Sequence, residues 1–241
     1  MKTEQQKVQY LTSLFDETYI KDIRERNRID KLRELNDLIN VLASAVGSLT
    51  NPSKIQTTFK SQIHSDISVN TVTQYIEFLE DAFLINSANR FDVKGRKYIG
   101  TPIKYYFEDV GLRNARLGFR QNEETHLMEN IIYNELRTRG YQVDVGVVPI
   151  RKTTDEGKRV RMQLEIDFIA TMGSKKYYLQ SAFSLPDEAK VKQEKTPLLN
   201  VNDSFKKLII VNDMLNVRRD VDGITIINVF DFLLDDNSMD L

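Results

Sequence analysis

The sequence predicts an α+β / α/β chain in two successive parts, a winged helix-turn-helix followed by a mixed sheet with flanking helices. Three observations predict it. Apolar residues recur at helical spacing in the first third, as in Leu32, Leu35, Leu38, Ile39, Leu42 and Val46. A Gly-containing turn, Asp92-Val93-Lys94-Gly95, then joins two runs rich in apolar and β-branched residues, the signature of a hairpin. Beyond residue 140, short β-type runs dominate, divided by polar and Gly-containing segments.

The elements follow in order. Residues 1–28 carry Leu11, Leu14, Phe15, Tyr19, Ile20 and Ile23 on one stripe and read as a docking helix. A helix over 30–48 is closed by Gly47. Asn51-Pro52-Ser53 caps a short helix bearing Ile55 and Phe59. Ser68 caps a third helix with Val72, Tyr75, Ile76, Leu79 and Phe83 inward. The hairpin comes next, then a short strand over 102–107 and a connector over 109–115. A helix over 123–139 stops at Gly140, with Leu127, Met128, Ile131, Ile132, Glu135 and Leu136 on one face. Strands are expected at 141–148, 164–170, 176–182, 207–211 and 224–227, with a basic loop between the first two. A helical segment over 186–195, a last helix over 229–234 and a frayed acidic tail over 235–241 complete the chain. The expected divisions are 1–28, 29–116 and 117–241.

Composition excludes several kinds of chemistry. There is no cysteine, so disulfides, thiolate nucleophiles and Cys-ligated zinc are ruled out. The two histidines, His64 and His126, are far apart and lack HxH or HxxxH neighbours, which suits surface or half-buried positions. No GxxxxGK[ST] or GxGxxG occurs, so ATP is not expected to bind. Formal net charge is −1, so any contact with nucleic acid must come from a local basic patch. No apolar run approaches 18 residues, so no membrane partner is expected and the cytoplasm is the default location.

Leu164-Glu165-Ile166-Asp167-Phe168-Ile169-Ala170, followed by Tyr178-Leu179-Gln180-Ser181-Ala182, has the spacing of a restriction-endonuclease-like site. There an acid ends one strand and an acid-x-Lys triplet lies on the next. Here the triplet reads Gln180-Ser181-Ala182, with an amide for the acid and a methyl for the lysine. Strand alternation puts Gln180 and Ala182 on one face, and Glu165 and Asp167 on one face of the neighbouring strand.

Longer strings extend the likeness. They include Ser68-Val69-Asn70-Thr71-Val72, Arg90-Phe91-Asp92-Val93-Lys94-Gly95-Arg96, Asp109-Val110-Gly111-Leu112-Arg113-Asn114, Met128-Glu129-Asn130-Ile131-Ile132-Tyr133 and Glu165-Ile166-Asp167-Phe168. Through them the chain resembles a bacterial and archaeal family of unknown function. In that family an AAA-type ATPase core precedes a winged helix and a PD-(D/E)XK nuclease-like domain. The resemblance implies the C-terminal region of such a protein, without the ATPase core. It implies fold and neighbourhood rather than an activity.

By position, Glu129 matches the family's helix acid, Asp167 the first metal ligand, and Gln180 and Ala182 the remaining pair. Lys190, on the following helix, is the candidate for a migrated lysine. An amide brings no charge to offset cation dehydration, so Asp167 would hold Mg²⁺ weakly and no resident cofactor is expected. Loss of the lysine removes a transition-state stabiliser commonly worth on the order of 10²–10³ in rate. For DNA contact, the third helix offers Asn70, Thr71, Thr73 and Gln74, although Glu77, Glu80 and Asp81 oppose phosphate at its far end. The wing offers Arg90, Lys94, Arg96 and Lys97. The expected function is a non-catalytic module that binds nucleic acid or a partner. The expected partners are duplex DNA, the cognate ATPase or a second copy. A divalent-metal-dependent DNA nuclease and a structural adaptor are the alternatives.

Overall fold

The computed structural model describes residues 3–121, 123–153, 157–213 and 217–241. The chain divides into two compact units, residues 1–87 with 101–123, and residues 88–100 with 124–241. This differs from a division at 116/117, because the tip of the hairpin belongs to the second unit. Its Arg90, Phe91 and Asp92 pair in parallel with Val145, Gly146 and Val147.

In the first unit a continuous helical stretch comprises α1 (Glu4–Leu14), a π-helical segment over Phe15–Ile20 and α2 (Lys21–Asn27). Phe15, Ile20 and Ile23 are buried, so this stretch is part of the unit's core. It is followed by α3 (Leu32–Ser44), α4 (Pro52–Thr58), α5 (Val69–Asp81), β1 (Ile85–Asp92) and β2 (Lys97–Phe107). The caps are as the local sequence dictates. The Asn51 side chain accepts from the Lys54 N–H, and the Ser68 hydroxyl from the Thr71 N–H. Phe83 lies outside the expected inward face: it follows α5 at φ 53° and is exposed. The expected strand over 102–107 is the second half of β2. The expected connector is a helix, α6 (Val110–Arg116), whose first turn is capped by Asp109 accepting from the Leu112 N–H at 2.8 Å. It holds the fully buried Arg113, which donates to the carbonyls of Ala43 and Gln121.

The second unit contains α7 (Glu124–Thr138), β3 (Gln142–Thr153), β4 (Arg159–Met172), β5 (Lys175–Ala182), α8 (Glu188–Leu199), β6 (Lys206–Val211), β7 (Arg218–Arg219), β8 (Thr225–Asn228) and α9 (Val229–Leu234). Among the described residues the sheet has eight strands in the order β2-β1-β3-β4-β5-β6-β8-β7, with parallel and antiparallel neighbours mixed. One face packs Val148, Ile166, Tyr178, Ile209 and Ile226 with Leu198 of α8. α7 packs on β3, β4 and β5, and buries Glu129, which borders its expected face, together with Asn130 and Tyr133, which lie outside it.

Two expectations for this unit change. The basic loop is a β-ribbon: β3 and β4 stay paired out to Arg151↔Arg161, Lys152↔Val160 and Thr153↔Arg159. The acidic tail is docked rather than frayed. A 3₁₀ turn over Ser238–Asp240 buries Ser238 and Met239, and Asp240 takes bonds from Lys175 and Tyr177.

Candidate functional site

The geometry begins with an irregularity. Asp144 pairs with Ile169 but Gly146 pairs with Ile166, so β4 carries one extra residue there. Glu165 and Ile166 are still in register with Val147 and Gly146, so the irregularity falls between Ile166 and Ile169, beside Asp167. A side chain at Gly146 would force a shift, since a Cβ would lie 2.9 Å from Ile166 Cβ.

The β4–β5 ladder ends at Phe168↔Leu179. Just beyond it, side chains take over from the main chain. The Asp167 carboxylate accepts the Ser181 N–H at 2.9 Å, and the Gln180 carbonyl accepts the Asp167 N–H at 2.8 Å. Gln180 is buried and passes the network on: its amide NH₂ donates to Glu194 at 3.1 Å. Glu194, also buried, pairs with Lys190 one turn earlier on α8, at 2.5 Å. The Gln180 amide accepts from one neighbour while donating to a carboxylate, which an ionised carboxylate in its place could not do. A glutamate there would set two carboxylates against each other.

The structure thus joins Asp167, Gln180 and Lys190, and adds Glu194, which sequence reasoning missed. Its only sequence signal was its i,i+4 spacing from Lys190 on a helix. Glu129 is buried on α7. Ala182 lines a neighbouring cleft of about 530 Å³ with Ser181, Pro186, Asp187, Lys190 and Gln193. Among the described residues no three His, Cys, Asp or Glu side chains gather into a metal-holding group. Asp167 is the one candidate ligand that the sequence singled out.

The candidate DNA-binding residues fall into both units. On α5, Asn70 and Gln74 are exposed. Thr71 bonds to the Ser68 hydroxyl, and Thr73 donates back to the Val69 carbonyl. At the hairpin tip, Lys94, Arg96 and Lys97 are exposed. Arg90 is not: it is buried, donates to Gln163 at 3.0 Å, and leaves its Nε without a hydrogen-bond partner.

The ribbon supplies cations that were expected only in a loop. Pairing aligns Arg151 with Arg161 and Thr153 with Arg159, so the three arginines share one face. All three are exposed, and among the described residues none has an ion pair. The opposite face carries Val160 and Met162, both exposed.

Residues 1–123 match a family described as Domain of unknown function (DUF8612). An uncharacterized protein of Haemophilus influenzae is 35% identical over 234 residues, covering 97% of this chain and 54% of that protein. The uncharacterized protein MJ1544 of Methanocaldococcus jannaschii is 26% identical over 212 residues, covering 86% of this chain and 45% of that protein. The chain spans about half the length of these curated relatives. The crystal structure of protein VC1899 from Vibrio cholerae aligns over 94% of this chain and 54% of that one, at 11% identity and a TM-score of 0.30. No helix among the described residues is long and apolar enough to cross a membrane.

Proposed function

We propose, for a chain that belongs to the DUF8612 family, that it is a non-catalytic, duplex-binding part of a longer protein. In this reading a nuclease-like sheet has kept its framework while its cleavage residues have become structural. α3, α4, α5 and the β1–β2 hairpin act as a winged helix. The ATPase core implied by the sequence resemblance is the proposed neighbour in the longer protein.

The observation that carries the proposal is the ribbon. Arg151 and Arg161 face each other across an antiparallel pair. Like charges directly opposite destabilise a sheet, so this arrangement is best satisfied by an anion between them. A two-stranded ribbon fits the major groove of duplex DNA, and arginine forks suit phosphate oxygens. The hydrogen-bonded fork at Asp167 and Gln180 supports the non-catalytic half. Its groups satisfy main-chain N–H donors where the ladder opens, instead of facing a substrate.

Fluorescence anisotropy with a short duplex, at about 50 and 200 mM salt, tests the binding. Replacing Arg151, Arg159 and Arg161 together with alanine should weaken it at least tenfold and lower the salt slope by about two to three. Unchanged affinity would remove the ribbon from the interface.

One observation favours a second reading, a divalent-metal-dependent nuclease. Glu194 and Lys190 bring an acid and a cation back to Gln180 from α8. Cleavage of plasmid DNA with Mg²⁺ or Mn²⁺, lost in Asp167→Ala and in Glu194→Gln, would establish it. If neither cleavage nor duplex binding occurs, the adaptor role is what remains.

A further inference from the structure

A second recessed site lies on the same unit, away from the Asp167 fork. It is a cleft of about 680 Å³, within the usual size range of small-ligand sites. Its walls combine three aromatic rings, Phe91, Tyr178 and Phe205, with three cations, Lys94, Arg96 and Lys176. The rings converge on one point: Lys176 Nζ stands 5.4 Å from the Phe205 centroid and 5.7 Å from those of Phe91 and Tyr178. Phe205 is 41% exposed, so one aromatic surface is open to a ligand. Lys94 and Arg96 are exposed at the hairpin turn. Lys176 also acts on the Asp144 carboxylate: burial raises that group's pKa, and Lys176 draws it down against the rise.

Asp203, the one acid on the lining among the described residues, is already engaged. It accepts from the Tyr178 hydroxyl at 2.6 Å and from the Phe205 N–H at 3.2 Å. Burial first, then this bond, pushes the Tyr178 hydroxyl well above its ordinary range, while Arg96 opposes the shift. Tyr178 therefore stays a neutral donor to Asp203. The bond fixes one ring and occupies one lone pair of the acid, and the cations keep the majority.

We infer that this cleft binds a single nucleotide unit, with its base stacked on Phe205 and its phosphate held by Arg96, Lys94 and Lys176. Aromatic faces accept any base, and the neighbouring cations supply the phosphate contact. A purely apolar ligand would leave the exposed Lys94 and Arg96 unused, and an inorganic anion would leave the exposed ring unused. The unit has two sources, a free mononucleotide or an unpaired position of a single strand. The site is independent of the ribbon.

Calorimetric titration of the full chain tests this with thymidine monophosphate, thymidine, inorganic phosphate and a four-unit oligothymidylate. The monophosphate should bind saturably, and thymidine at least tenfold more weakly. Phe205→Ala and Arg96→Ala should each weaken binding by about tenfold, while Phe205→Tyr should preserve it. Tighter binding of the oligothymidylate would assign the source to a strand, and equal affinity to the free nucleotide. No saturable binding of either would overturn the proposal, as would inorganic phosphate binding as well as the nucleotide, or Phe205→Ala binding normally. Mononucleotide binding should survive the triple arginine variant of the ribbon, so failure here is distinct from failure of duplex binding.

Discussion

Arg151 lies directly across from Arg161 in the antiparallel pairing of β3 with β4, two exposed guanidinium groups on one face of a ribbon. Their repulsion costs the free protein a few tenths of a kcal/mol, up to about 1. Arg161→Thr should therefore leave thermal stability unchanged or slightly raised, while weakening duplex binding. A fall in Tm of several degrees would mean that the pair has a structural partner instead.

Gln180, itself buried, bridges the part-buried Asp167 main-chain N–H and the buried Glu194 carboxylate. Gln180→Glu removes the donor and adds a second carboxylate, so stability at neutral pH should drop by about 1–3 kcal/mol. The new acid would have a folded pKa above its unfolded value near 4.3. Its penalty is thus fully present at high pH and fades as pH falls through the folded pKa, where protonation restores the donor. Urea unfolding across pH 4–8 checks both the size and the sign.

At the hairpin tip, Lys97 and Arg96 are exposed, whereas Arg90 is buried against Gln163. Arg96→Ala with Lys97→Ala should weaken duplex binding and reduce its salt slope by about two. Arg90→Ala should act mainly on stability, since it leaves the Gln163 carbonyl without its donor. Equal loss of affinity from both variants at unchanged stability would contradict this separation.

Asp240 holds the C-terminal turn in place. Hydrogen bonds from Tyr177 and then Lys175 bring its pKa below the ordinary carboxylate range. A depressed folded pKa contributes stability above the unfolded value, about 3.9, and loses it as pH falls through the folded value. Hydrogen exchange at Met239 should accelerate only below that range. Asp240→Asn should show the faster exchange already at neutral pH.

Gly146 sits opposite the extra residue of β4, where a Cβ would meet Ile166 Cβ at 2.9 Å. That atom is attached to the main chain and cannot swing away. Gly146→Ala should destabilise the second unit by about 1–3 kcal/mol, measured by urea unfolding.

What could be read from the sequence was what neighbours along the chain decide. The helical stripe of α3, the Ser68 and Asn51 caps, the turn before Arg96 and the apolar strands each depend on residues within one or two turns. The short helix α6 escaped because seven residues give little periodicity, although Asp109 was a cap signal. Asp167 and Gln180 stand out by their spacing and Lys190 by its place on the following helix, but their relationship is not written in the sequence. It depends on where the β4–β5 ladder stops and on α8 bringing Glu194 to the Gln180 amide, a contact across 14 residues. The ribbon reads as a loop in the sequence because its charged residues have no core to pack on. Pairing across two strands makes it regular, and pairing is a long-range choice. Local propensity and capping, written in the chain itself, determined the elements. Only tertiary contact decided which cations share a face, which arginine is buried and why an amide stands where an acid was expected, because each depends on partners that the sequence does not place side by side.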